Sequence, residues 1–309
     1  MKKHWVGIAF ILALCLVACA FAQENSQVHM LRPYGKQGNP AALAITYYGG
    51  PVFETAPTVY IVYYGKWTTK DRKVIDTFFA NLSGTSMNKI NTTYSDNNNK
   101  FIPNAVNYDP TTDSYHDNYS LGKTIRDAQV QQIIANAISK GKLPNDQNGI
   151  YFSLLAADVA DPDGQCTSFC GYHSPSRSIV SGEIIKYSMV GNPARCPSGC
   201  EASAVIGDSN SPNNDPGADG TVNIMWHEYS ESDSDPNVGI QTAWNGGPCG
   251  ENGDCCAWQF GTLKVASNGS HYNEKIGGKH YITQMMLKLS QKKRGNNIPG
   301  TCENTYNHP

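Results

Sequence analysis

The sequence predicts a mixed α/β or α+β fold: a single disulfide-bonded domain over residues 43–309, with a mixed sheet and flanking helices. The first observation is an alternation of β-branched and aromatic runs with amphipathic stretches of helical period, the pattern of strands and helices packed in layers. The second is an N-terminal export signal. Lys2 and Lys3 precede an apolar run from Val6 to Val17, and Ala20-Phe21-Ala22 supplies the small residues of a cleavage site. The third is cysteine usage. Of ten cysteines, Cys15 and Cys19 fall within the signal. The other eight, Cys166, Cys170, Cys196, Cys200, Cys249, Cys255, Cys256 and Cys302, form an even set in the C-terminal half and read as disulfides in an oxidising compartment.

The elements follow in chain order. Residues 1–22 form the signal peptide, too short to span a membrane comfortably. Leu16-Val17-Ala18-Cys19 also fits the lipid-attachment box that would anchor a bacterial lipoprotein at Cys19. Residues 23–42, polar and broken by Pro33, Gly35, Gly38 and Pro40, predict a loose lead-in. "TVYIVYYG" (58–65) predicts a buried strand, and "TKDRKVIDTFFANLS" (69–83) a helix with Val74, Ile75, Phe78, Phe79 and Leu82 inward. The Asn-, Asp-, Tyr- and Thr-rich stretch 84–120 predicts short strands and loops. A second helix is expected over 125–141, with Val130, Ile133, Ile134 and Ile138 on one face and Gly141 as its stop. "NGIYFSLLAAD" (148–158) predicts another buried strand, and "DSNSPNNDPGADG" (208–220) a loop feeding a helix from about Thr221. A last helix is expected over "KHYITQMMLKLSQKK" (279–293), with Lys292-Lys293-Arg294 as its solvated end.

Several function classes are disfavoured. The 24 basic and 26 acidic residues leave a net charge of −2, which argues against a dedicated nucleic-acid binder. The chain has no G-x-S-x-G elbow, phosphate-binding glycine loop or dinucleotide fingerprint. Two Cys-x-x-x-Cys pairs, 166/170 and 196/200, offer thiolate zinc ligation as the alternative to disulfides. Sequons at Asn81, Asn91, Asn118 and Asn268 permit glycosylation of an exported chain.

The stretch that bears on chemistry is "NIMWHEYSESDSDPN" (223–237), an H-E-x-x-E pattern where a zinc protease carries H-E-x-x-H. On a helix His227 and Glu231 share a face, and Glu228 lies about a quarter turn away. One imidazole and one carboxylate can hold a zinc ion, while an adjacent carboxylate addresses a bound water; a catalytic zinc needs a third ligand and an open position. Glu231, Asp233 and Asp235 also gather where Asp235-Pro236 must end the helix, at the negative end of its dipole. Lysine, arginine, a cation or plain solvation would relieve that repulsion. The competing reading is an exposed acidic helix end, with His227 and Glu231 as a local ion pair.

Beyond this pattern the chain resembles the EXORDIUM/phosphate-induced protein family, known mainly from plants as secreted proteins of the cell-wall space linked to growth control. The resemblance runs from about Ala44 to Leu289. It rests on "ITYYGGPV", "VYIVYYGKW", "LGKTIRDAQV", "NGIYFSLLAADV", "CTSFCGYH", "RCPSGC", "GADGTVNIMWHEYSE" and "ENGDCCAW" in that order. It implies that Glu231 belongs to the family's own pattern, that His227, Glu228 and Glu231 form a unit, and that Glu251 and Asp254 form a second acidic group. It also sets His173 beside the cysteine framework. A disulfide web joining the 166–200 section to 249–256 would bring these groups to the helix. The implied site is a divalent metal on His227, Glu231 and one of Asp254, Glu251 or His173, with Glu228 as general base and a zincin-like arrangement around helix 221–234. Cys249, Cys255 and Cys302 depart from the plant pattern, and Asp235 resembles microbial relatives, so the plant growth role does not transfer directly.

Three functions follow as expectations. The chain is a secreted, non-enzymatic protein whose partner is a cell-wall or matrix component or an extracellular protein, a zinc-dependent hydrolase of the peptidase kind, or a carrier of a structural cation. Zinc suits an imidazole–carboxylate set, whereas calcium prefers oxygen throughout.

Overall fold

The computed structural model describes residues 29–37 and 41–306. The signal peptide and Cys19 lie outside the described residues. In chain order the strands are β1 (His29–Leu31), β2 (Ala44–Tyr47), β3 (Thr58–Tyr64), β4 (Ser114–Asp117), β5 (Gly149–Leu155), β6 (Gly171–Ser176) and β7 (Ile185–Gly191). They continue with β8 (Trp244–Asn245), β9 (Lys264–Val265), β10 (His271–Tyr272), β11 (Glu274–Ile276), β12 (Lys279–Tyr281), β13 (Met286–Leu289) and β14 (Ile298–Glu303). The α-helices are α1 (Thr69–Ala80), α2 (Asp127–Ser139), the single turns α3 (Pro197–Cys200) and α4 (Ala202–Val205), and α5 (Pro216–Ser234).

The result is a mixed α/β domain. Its main sheet runs β1-β6-β7-β5-β3-β4. Strands β4, β3, β5 and β7 are parallel, whereas β6 and β1 join antiparallel at one edge. Every residue of β5 is buried, as a central parallel strand covered on both faces requires. Helix α1 starts on a Thr68–Asp71 capping box and buries Val74, Ile75, Phe78 and Phe79. Helix α2 buries Val130, Ile133 and Ile134, and Gly141 follows its end in the left-handed region. A second, antiparallel sheet runs β13-β14-β2-β8 over a smaller core that includes Trp244, Tyr94 and Leu287.

Strand alternation on β6 decides what each face of the main sheet meets. The Tyr172 hydroxyl donates to Asp127 of α2 at 2.9 Å, while the neighbouring His173 turns to the opposite face, 3.4 Å from Glu231 of α5. Helix α5 therefore packs on the face of the sheet opposite α2, with α1 beside it, where Phe79 meets both Phe152 of β5 and Tyr229 of α5. It begins earlier than the sequence suggested, because Asp215 caps it through the Ala218 amide and Pro216 occupies its first turn. All residues from Gly217 to Ser234 are buried, so no polar stripe marks a solvent side.

Four expectations are corrected. Residues 279–293 form no helix: Lys279–Tyr281 is β12 and Met286–Leu289 is β13. Met286 joins the main core while Leu287 and Leu289 join the smaller one, and apolar residues on both faces erase the difference between strand and helix periods. Arg294 is consequently no helix end; its guanidinium donates to the Asp96 carbonyl at 2.6 Å. The lead-in is not loose along 29–37, since β1 pairs with β6 in the register His29↔His173 and the Trp258 indole donates to the Arg32 carbonyl. Finally, the disulfides are Cys166–Cys196, Cys170–Cys200, Cys249–Cys255 and Cys256–Cys302, so none joins 166–200 to 249–256. They use all eight sulfurs, which removes thiolate ligation of zinc.

The paired Cys-x-x-x-Cys segments thus staple the start of β6 to α3. Replacing Cys170 and Cys200 together by alanine, across a separation of 30 residues, is expected to remove about 2–5 kcal/mol of stability. Urea unfolding followed by tryptophan fluorescence should show the midpoint falling by the corresponding amount.

Candidate metal centre

Helix α5 carries His227, Glu228 and Glu231 into the interior, and none of the three keeps any exposed side-chain surface. The expectation of an exposed acidic helix end is overturned. Asp233 and Asp235 are buried as well and turn to local partners: Asp233 accepts from the Asn91 amide at 3.0 Å, and Asp235 accepts from Ala243 N at 2.7 Å. Burial pushes both carboxyls well above the usual carboxylate range. The Asn91 sequon is buried in the same contact.

The second acidic group arrives from the loop after β8. Asn252 donates to the Ser230 carbonyl at 3.1 Å, and Gln284, just before β13, donates to the Gly253 carbonyl at 2.9 Å. These bonds press the loop backbone onto α5, where Asp254 N donates to Glu231 Oε1 at 3.1 Å. Gly253 is required by space: a Cβ there would lie 2.8 Å from both Glu231 Oε1 and His227 Nδ1. Gly171 plays the same part on β6, where a Cβ would come within 2.6 Å of Ile224 and 3.1 Å of Glu228. Cys249–Cys255 and Cys256–Cys302 hold the acidic loop, and Cys170–Cys200 holds the start of β6. The disulfides flank the cluster without bridging it.

All six residues singled out from the sequence converge. His227 Nε2 lies 3.0 Å from Glu231 Oε1 and 3.9 Å from Asp254 Oδ1. His173 Nε2 lies 3.1 Å from Glu251 Oε2 and 3.4 Å from Glu231 Oε2. Glu228 Oε1 accepts from Leu31 N of β1 at 3.3 Å. A seventh member, His29, was not foreseen: its Nδ1 lies 2.6 Å from Glu251 Oε2. No local pattern marks His29, which reaches the cluster only because β1 pairs with β6. The donor atoms fall into two close groups, His227–Glu231–Asp254 and His173–Glu228–Glu231.

Electrostatics make the cluster unusual. Every ion pair of these acids among the described residues is with a histidine, none with lysine or arginine. Burial pushes the Glu228 carboxyl up to about 8, although His227 nearby opposes the shift. Burial alone would lower the pKa of His227, but the Glu231 carboxylate outweighs it and raises it to about 10. Burial likewise opposes ionisation of Glu231, yet the flanking imidazoles of His227 and His173 hold it below the usual range. Without a cation, the cluster must fill itself with protons.

The donors fit a metal ion by one further sign. His227 Nε2 is 3.0 Å from Glu231 Oε1 without hydrogen-bond geometry, and it is left with no hydrogen-bond partner. Glu228 Oε2, Glu231 Oε2 and Glu251 Oε1 are also buried and have no hydrogen-bond partner. Orphaned buried donors and acceptors each cost about 1–3 kcal/mol. Two ligands of one tetrahedral ion approach each other in this way, both aimed at a shared point and not at one another.

The description "Phosphate-induced protein 1 conserved region" matches residues 45–292. The chain belongs to this family. Among curated relatives it is 28% identical over 271 residues to Protein EXORDIUM-like 3 of Arabidopsis thaliana, covering 80% of this chain and 78% of that one. It is 26% identical over 275 residues to Protein EXORDIUM-like 5 of the same plant, covering 81% and 70%. Protein PHOSPHATE-INDUCED 1 of Nicotiana tabacum is 27% identical over 213 residues, covering 59% and 62%. No solved structure matches significantly. The matched region of this phosphate-induced family member contains α5, β6 and the acidic loop, but not His29. Among its described residues no helix is long and apolar enough to cross a membrane.

Gly253→Ala is expected to push the acidic loop off α5 and to destabilise the fold by about 1–3 kcal/mol, as overpacking of a tight interior does. A thermal scan beside Gly269→Ala should show the contrast. Gly269, although its φ is +85°, meets no neighbour within 4 Å, so any loss there comes from backbone strain alone.

Proposed function

We propose that this chain is an exported member of the phosphate-induced family that holds a divalent transition-metal ion, zinc foremost, on His227, Glu231 and Asp254. The observation that carries this reading is the His227 Nε2–Glu231 Oε1 approach of 3.0 Å without a hydrogen bond, inside a cluster of buried carboxylates with no lysine or arginine partner. Imidazole with carboxylate oxygen suits zinc, and the histidines make calcium the poorer fit. Eight cysteines spent on four disulfides support the oxidising compartment implied by the export signal, with residues 43–309 folding as one unit. The relatives named EXORDIUM-like support a place in the extracellular or cell-wall space. There the protein works by binding a wall or matrix component or another extracellular protein, and glycans sit on the exposed Asn81, Asn118 and Asn268.

In this reading the ion is structural first. It replaces the protons that the buried acids and histidines would otherwise hold, and it joins α5 to the acidic loop where no disulfide does.

A hydrolytic role is the second reading, and one observation favours it. Asp254 keeps 29% of its side chain exposed, and the unpartnered Glu228 Oε2 lies in the same cluster. Water reaching an ion from the Asp254 side would meet Glu228 as general base. The Leu31 amide on Glu228 Oε1 and the covering strand β1 weigh against it.

Elemental analysis of the folded, exported chain is expected to give near-stoichiometric zinc that His227→Ala abolishes. Chelation should lower the melting temperature, with a stability loss of about 3–4 kcal/mol for ion present at 100–1,000 times its Kd. Zinc-free protein that melts at the same temperature with and without added zinc overturns the metal reading. Peptidase activity lost in Glu228→Gln, with zinc retained, would move the conclusion to the hydrolase.

A further inference from the structure

We infer that the centre holds two divalent transition-metal ions, with Glu231 as a bridging carboxylate and His173, Glu228 and Glu251 supplying the second ion. This deepens the proposed metal function and rests on it.

The geometry is that of one carboxylate shared between two imidazoles. Glu231 Oε1 faces His227 and Asp254, at 3.0 Å from His227 Nε2, while Glu231 Oε2 faces His173 Nε2 at 3.4 Å. The oxygens therefore belong to different donor groups, His227–Glu231–Asp254 and His173–Glu228–Glu231. A single ion on His227, Glu231 and Asp254 leaves the second group unexplained. His173 Nε2 sits between Glu251 Oε2 at 3.1 Å and Glu231 Oε2 at 3.4 Å. The contact with Glu251 is a hydrogen bond, and one ring nitrogen carries at most one proton, so Glu231 Oε2 is left without one. An ion at this point accepts all of them.

The orphaned atoms point the same way. Glu231 Oε2, Glu228 Oε2 and Glu251 Oε1 have no hydrogen-bond partner, and all three side chains are fully buried. Glu231 Oε2 faces His173, and Glu228 shares a donor group with that histidine, not with Asp254. A carboxylate bridge of this kind sets two ions about 3.5–4 Å apart, the spacing of two-metal sites. The two halves differ in chemistry. The first offers one imidazole and two carboxylates, and the second one imidazole and three carboxylates. The oxygen-richer half suits manganese or iron(II) as well as zinc. His29, 2.6 Å from Glu251 Oε2, orients that carboxylate from β1, as an outer partner does for a metal ligand.

The experiment is metal loading of the full exported chain, with zinc chloride for stoichiometry and manganese(II) chloride for spectroscopy. Wild-type protein dialysed against zinc is expected to retain two ions per chain, and His173→Gln and His227→Gln one each. Manganese-loaded wild type should give the broadened, exchange-coupled electron paramagnetic resonance signal of a close pair. His173→Gln should return the six-line signal of an isolated ion. The wild-type measurements need no variant, so a misfolded substitution does not blunt the test. One ion per chain at saturation, retained in His173→Gln, overturns the second site and leaves the single-metal reading standing. Two ions with an uncoupled spectrum overturn the bridge. No bound ion in wild type overturns both this inference and the metal function beneath it.

Discussion

The structure depends on placing several carboxylates in its interior with only imidazoles to answer them. Glu228, Glu231 and Glu251 keep no exposed side-chain surface, and the charges facing them belong to His29, His173 and His227. Moving ionised carboxylates out of water costs several kcal/mol each unless they are paired or bound to metal. Helix α5 tolerates these groups because they converge on shared partners. Its other acids, Asp233 and Asp235, are tied to Asn91 and Ala243, and burial pushes both carboxyls above the usual range.

Much of the surrounding architecture serves this convergence. Gly171 and Gly253 bring two backbones onto the same helix, one from β6 and one from the acidic loop, at distances that no side chain at those positions would allow. The disulfides then hold each approaching segment from its outer side, Cys170–Cys200 on β6 and Cys249–Cys255 on the loop. Because no disulfide links one segment to the other, the polar cluster itself is their junction. Strand β1 closes the arrangement by pairing His29 opposite His173 and giving the Leu31 amide to Glu228.

The sequence was most legible where period and composition agree. The runs at 58–65 and 148–158 are the strands β3 and β5, and Val74, Phe78, Val130 and Ile134 face inward from helices where their spacing placed them. Legibility failed at 279–293 because Met286, Leu287 and Leu289 serve two cores from one short strand, which leaves no alternation to read. It failed differently at α5. An acidic helix end looks solvated in sequence, and only burial on every face shows otherwise.

By itself the sequence determined the first strands and helices, the even cysteine set and six members of the polar cluster, because these follow from local spacing and from motifs that keep their order along the chain. Only the tertiary structure decided which sulfur meets which, that His29 joins the cluster, and that Glu231 turns its two oxygens to two different histidines. Those outcomes depend on strand pairing and on the closeness of two glycine backbones to one helix. Contacts between residues far apart in the chain are set by packing, and local sequence carries no record of them.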